Sequence, residues 1–212
     1  MLPTIAPYPL PVRAELPDNR VEWRADPSRA VLLVHDMQNY FLAAFGDGDS
    51  PLPAVLDNIA TLRKYCAGLD IPVIFTGQPP GQSAQQRGLL QEFWGSGLPD
   101  DPHAAAITAA LEPGPDDLRL TKARYSAFVG TDLADLLGER DQLILTGVYA
   151  HIGVLATAVD AFMRDIRPFV VADAVADFSP EEHERAMRQV AQRCGSVTTT
   201  AALADDLDAT AR

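Results

Sequence analysis

Cysteine is nearly absent: Cys66 and Cys194 are the only two in 212 residues. They form no C-x-x-C pair and no zinc spacing, which argues against a disulfide framework, a metal module or a cofactor held by thiolates. Positive charge is also scarce. Seventeen Lys and Arg face twenty-nine Asp and Glu, a formal net charge of -12. Such a surface repels nucleic acid and anionic membrane. No apolar run reaches the roughly 18 residues of a membrane helix. Pro3, Pro7, Pro9 and Pro11 stand where a signal peptide needs an apolar helical core, so the cytoplasm is the expected compartment. There is no G-x-S-x-G elbow for a serine hydrolase. The Gly46 segment G-D-G-D-S-P follows no strand and cannot serve as a dinucleotide loop. No internal repeat is visible.

What is present centres on Arg29–Asp36, R-A-V-L-L-V-H-D. The unbroken apolar run Ala30–Val34 reads as a strand buried on both faces. It stops on Asp36, and a carboxylate at the end of a buried strand is costly unless paired or used. Residues 1–28 are proline-rich and read as an arm lying on the domain, with Trp23 as its expected anchor. Tyr40–Gly48 reads as an aromatic, glycine-rich loop, whose Phe41 and Phe45 are either core or the wall of a pocket. Val55, Ile59, Leu62, Tyr65 and Cys66 repeat at helical spacing within 53–68, so Cys66 is expected to be structural.

Ile71–Phe75 is the second strand, ending near Gln78. Residues 81–105 form a long connection carrying Arg87, Phe93 and Trp94, and connections of that length usually cover a site. Leu118–Lys122 is a third strand, leading to Arg124 and Tyr125. Thr131 is the expected cap of a short helix at 132–137. Gln142–Val148 is a fourth strand, meeting Tyr149 and His151 before an apolar helix. Strands at Arg167–Asp173 and Val197–Thr199 follow, around a helix at 181–193 opened by a Ser179/Glu182 capping box. The tail from Ala204 to Arg212 is acidic and expected to fray. Strands alternating with helices at these lengths imply right-handed crossovers. The expected fold is a three-layer α/β/α domain over 29–203, with about six mainly parallel strands.

Asp36, Gln78 and Lys122 all fall at strand ends, and in such a sheet these ends converge on one crevice. Two readings remain for Asp36 and Lys122. One is a structural ion pair with a depressed Asp pKa; the other is acid chemistry beside a cation that binds an anion. His35 and His151 read more simply as hydrogen-bonded structural histidines than as metal ligands.

The blocks V-L-L-V-H-D-M-Q-N-Y-F, T-G-Q-P-P, R-G-L-L-Q-E-F-W-G-S-G-L, T-K-A-R-Y-S-A-F, T-G-V-Y-A-H-I-G-V, D-A-F-M-R-D-I-R-P-F and V-A-D-A-V-A-D-F-S resemble the isochorismatase family. The resemblance covers nearly the whole chain. The wider superfamily includes cysteine hydrolases such as nicotinamidase, which use an Asp, a Lys and a nucleophilic Cys. Asp36 and Lys122 match; the cysteine position holds Gly153, so no thioester route is available.

The resemblance implies hydrolysis of a vinyl ether, in isochorismate or 2-amino-2-deoxyisochorismate, releasing pyruvate without metal or cofactor. Asp36 would be the proton donor, with a pKa raised by Val34, Phe41 and Phe45 if the substrate's carboxylate occupies Lys122. Gln78, backbone N–H groups near Gly153, and Arg87 would contact the substrate; Trp94, Tyr125 and Tyr149 would shape its pocket. The resemblance also implies a cis Val148–Tyr149 peptide and a homodimer. Some members carry a C-terminal carrier domain; this chain ends about ten residues after its last expected element, so that function is not expected. Ala123 stands where the family usually has Trp, and repacking is the favoured account.

Overall fold

A computed structural model describes residues 2–46 and 50–211. Its sheet has six parallel strands: β1 (Ala30–His35), β2 (Val73–Gly77), β3 (Leu118–Thr121), β4 (Gln142–Val148), β5 (Arg167–Ala176) and β6 (Ser196–Thr198). Their order across the sheet is β3-β2-β1-β4-β5-β6. The order reverses between β1 and β4, and the crevice outside the carboxyl ends of that pair is where open α/β sheets bind ligands.

The buried run in β1 divides by the two-residue period of a strand. Leu32 and Val34 pack with α2 (Leu52–Gly68) and α9 (Thr200–Thr210); Val31 and Leu33 pack with α6 (Leu133–Leu137), α7 (Leu155–Phe162) and α8 (Pro180–Arg193). These are the three layers. In α2 the buried residues are Val55, Ile59, Leu62 and Cys66, one stripe down one face. Among the described residues, no helix is long and apolar enough to cross a membrane.

Several expectations need correction. The 40–48 loop is partly helix, α1 (Asn39–Leu42), and its last two positions fall in the stretch 47–49 that lies outside the described residues. The 81–105 connection contains α3 (Ala84–Arg87), α4 (Leu90–Trp94) and α5 (Pro102–Ala105). Thr131 precedes the cap position of α6, although its hydroxyl does accept the Leu133 N–H at 3.3 Å. The segment from Ala204 is not frayed: α9 continues to Thr210, with Leu203 and Leu207 buried and the Thr210 hydroxyl donating to Ala25 O. Leu203 and Leu207, with the small Thr200 and Ala204, form the buried face that seats the helix.

The arm is held differently from expectation. Trp23 is only half-buried, against Phe169, whereas Ile5 and Tyr8 are buried. Ile5 donates its N–H to Ala44 O at 2.8 Å. The Tyr8 hydroxyl accepts the Asp177 N–H at 2.7 Å and lies 3.2 Å from His183 Nδ1. Asn19 bonds both backbone groups of Val197, so the arm covers the β6 edge, an otherwise open pairing surface.

Candidate active site

Asp36 is the residue just past β1, at φ 49°. A residue there turns the chain out of the sheet, and Asp tolerates this left-handed region better than most side chains. Its carboxylate is buried. Thr76, at the end of β2, accepts the Asp36 N–H at 3.1 Å and donates its hydroxyl to Oδ1 at 2.6 Å. The other oxygen, Oδ2, meets Lys122 Nζ at 2.7 Å. Lys122 follows β3, is equally buried, and also donates to Arg124 O at 3.0 Å.

Burial pushes the Asp36 carboxyl up, but Lys122, with help from His35 and the Thr76 hydroxyl, more than offsets it. Asp36 is therefore held below the usual carboxylate range. Lys122 pairs directly with the carboxylate, which is the depressed alternative of the two readings; the raised value is expected only with a substrate carboxylate on Lys122.

Around this pair lies a pocket with about 540 Å³ of empty volume, its open mouth included. Asp36, Lys122, Gln78, Arg87, Phe41, Trp94, Tyr125, Tyr149 and Gly153 all line it. Phe45 does not line it; its ring stacks behind Tyr149 at 6.1 Å, so it is backing rather than wall. Ala123, half-buried, is not in the lining either, in keeping with a repacked neighbour.

Sequence reasoning missed Tyr40, Leu90 and Ile152, and also Leu2, which the arm brings to the pocket. It also missed Gln38, whose amide nitrogen donates to Gln78 O at 2.9 Å and to Ala105 O at 2.8 Å. The Gln38 carbonyl accepts the Gln78 N–H at 2.7 Å. Gln38 thus fixes the backbone that presents Gln78. The available signal was the position of Gln38, two residues past Asp36 in the same strand-end segment.

The 81–105 connection forms one wall through Arg87, Leu90, Trp94, Gly97 and Leu98. Trp94 Nε1 donates to the Tyr125 hydroxyl at 2.6 Å. The Tyr149 hydroxyl donates to Phe41 O at 2.6 Å, and the Val148–Tyr149 peptide is cis. Arg87 is only 3% exposed. Its Nε donates to Gly95 O at 3.0 Å, and Nη1 reaches Gln78 Oε1 at 3.4 Å. Burial pulls its pKa down, and the groups facing it are Tyr40, Tyr125 and Arg124. Among the described residues, no carboxylate pairs with it. The ionisable lining therefore holds two cations, Arg87 and Lys122, against one anion, Asp36, in a chain of net charge -12.

Both thiols are spent elsewhere. Cys66 and Cys194 are buried in the two helical layers, and burial pushes them up to about 12 and about 11.

A three-layer α/β sheet with a buried acid–lysine pair at its switch point defines a class of hydrolases working at the carboxyl edge of the sheet. The family model for the isochorismatase domain matches residues 30–202. The chain is 50% identical over 208 residues to an isochorismatase of Bacillus subtilis, covering 97% of this chain and 67% of that protein. It is 50% identical over 201 residues to the phenazine biosynthesis protein PhzD of Pseudomonas fluorescens, covering 94% and 96%. A solved cysteine hydrolase of Pseudomonas syringae pv. phaseolicola shares the fold at a TM-score of 0.81, with 22% identity over 92% of this chain and 98% of that one. The chain belongs to the isochorismatase family.

Proposed function

We propose that this enzyme hydrolyses the enolpyruvyl vinyl ether of isochorismate or 2-amino-2-deoxyisochorismate, releasing pyruvate, in secondary metabolism. The observation that carries the reading is Arg87. A guanidinium this buried, without a carboxylate partner among the described residues, is costly unless a ligand supplies the anion. A carboxylate matches its planar fork. The proposed substrates carry two carboxylates, one for Arg87 and one for Lys122.

In the proposed reaction, Asp36 in its acid form gives its proton to the methylene carbon. The double-bond electrons form the new C–H bond and leave an oxocarbenium ion. Water adds to that cation and returns a proton to the Asp36 carboxylate. The hemiketal then collapses, its hydroxyl proton passing to the ring oxygen, to give pyruvate and the ring alcohol. The acid is regenerated each turn, and no nucleophilic side chain takes part. A substrate carboxylate drawn to Lys122 weakens that lysine's hold on Asp36 and adds like charge nearby. Both effects raise the Asp36 proton affinity when the substrate is bound.

Gln78, fixed by Gln38, and the turn at Gly153 would contact the substrate, while Phe41, Trp94, Tyr125 and Tyr149 enclose its ring. The reading carries with it a cytoplasmic homodimer, which sedimentation and cell fractionation test. The deciding experiment offers the hydroxy and amino substrates side by side and follows pyruvate. Pyruvate from either one supports the reading, and the faster one names the substrate. Ligand binding with no pyruvate from either makes the protein a non-catalytic relative.

A further inference from the structure

Gly153 sits in the π-helical turn Ala150–Val154 after β4, where its backbone does not call for glycine: its φ lies outside the left-handed region. What forbids a side chain there is His35. A Cβ on residue 153 would stand 2.2 Å from His35 Cε1, 2.9 Å from Nε2 and 3.0 Å from Nδ1. All three nearest atoms belong to that one ring.

The ring cannot easily swing aside. It is fully buried, with Nδ1 3.1 Å from Val148 O and Nε2 3.3 Å from the Thr157 hydroxyl. Position 153 cannot easily retreat either, since Thr157 donates its hydroxyl to Gly153 O at 2.7 Å. One threonine therefore lies against both sides of the contact, bonded to Gly153 O and packed 3.3 Å from the ring. The space the ring fills borders the acid, because His35 Nδ1 lies 3.6 Å from Asp36 Oδ2.

We propose that His35 is a specificity-determining residue: its ring occupies the slot that any side chain at position 153 would need, so Asp36 meets its substrate with no nucleophile beside it. His35 and position 153 form one steric unit, and each tolerates change only with the other. A thiol placed at 153 over a shortened residue 35 would enter the vacated space, next to Asp36. The inference rests on the reading of the site given above, but its readouts need no turnover, so its failure is distinguishable from a failed substrate assay.

The test compares four full-length proteins: wild type, Gly153→Cys, His35→Ala, and the double variant. Gly153→Cys should lower Tm by about 5 °C or more, as overpacking of a buried site does. The double variant should melt at least about 3 °C above the value obtained by adding the two single shifts, the sign of a direct contact. Its introduced thiol should react with iodoacetamide under conditions that leave Cys66 and Cys194 unmodified. There the thiolate sulfur bonds to the methylene carbon, iodide leaves, and the thiol proton goes to solvent. A Gly153→Cys protein melting like wild type would overturn the proposal. So would a double variant that is insoluble, that melts at or below the additive value, or whose introduced thiol stays unmodified.

Discussion

Asp36 and Lys122 hold each other as an ion pair, so each variant leaves a different remainder. Asp36→Ala removes the proposed proton donor but leaves Arg87 and frees Lys122 for a carboxylate. The expected result is a fall in kcat of about 10² to 10⁴, with substrate affinity by calorimetry kept or improved. Normal turnover in that variant would end the acid assignment. Lys122→Ala leaves Asp36 buried without its counter-charge. Steady-state kinetics should show KM raised as well as kcat lowered, because the lysine anchors the ground state too. A purely structural ion pair would instead lower Tm and change kcat and KM only through misfolded protein. The pH profiles separate the free and bound states. The apparent acid pKa governing kcat should lie above the one governing kcat/KM, since the paired Lys122 depresses Asp36 and a bound carboxylate would relieve that depression. Equal values, or the reverse order, would show that substrate does not reach the lysine.

At the scale of elements, β1, β2 and β4 were legible because burial leaves largely apolar runs, and the first two end where chemistry can begin, at Asp36 and Gln78. Lys122 follows the short strand L-R-L-T, three of whose four residues are exposed, and it stood out by its own charge at a strand end. Thr76 and Gln38 did not stand out, since a buried Thr or Gln that orients a neighbour looks like any other polar residue until its partners are in view. Phe45 was misplaced by one layer: sequence shows that an aromatic is buried, not which side of Tyr149 it takes. Helix α9 was missed for a different reason. Its large core residues are Leu203 and Leu207 at i and i+4, beside the small Thr200 and Ala204 and set among Asp205, Asp206 and Asp208. Those leucines join the layer that holds α2 and one face of β1. Leu207 is fully buried, so Leu207→Ala should destabilise the protein by about 2 to 5 kcal/mol, read as a lower midpoint in urea with an unchanged slope. A frayed tail would shift the midpoint by less than about 0.5 kcal/mol.

Over the whole molecule, buried histidines tie stability to pH more strongly than the acidic surface does. His35 is held down to about 4, by burial first and by Lys122 as well, against the opposing pull of Asp36. His183 is lowered too, by burial, against the opposing pull of Asp177 and the Ala172 carbonyl. Both stay neutral in the folded protein where the unfolded chain, with an ordinary pKa near 6.5, takes up protons. Their contribution is complete above about pH 6.5 and is lost as pH falls toward the folded values. For His35 the span from 6.5 to about 4 amounts to roughly 3 kcal/mol at about 1.36 kcal/mol per unit. His151 works the other way. Burial alone would lower it, but its bond to Asp177 outweighs that and raises it. Its contribution is complete below about pH 6.5 and fades as pH rises through the raised value. Over the window below about pH 6.5 it is therefore constant and does not offset the loss. Asp36, depressed below the unfolded range, adds its own loss only below about pH 4. Tm should therefore fall between about pH 6.5 and 4.5 as the unfolded chain takes up protons that the buried rings refuse. His183→Gln should flatten that slope by up to one proton's share, while lowering Tm at pH 7 through the lost Tyr8 contact. A flat or rising Tm between pH 6.5 and 4.5 would mean that these rings take up protons within the fold.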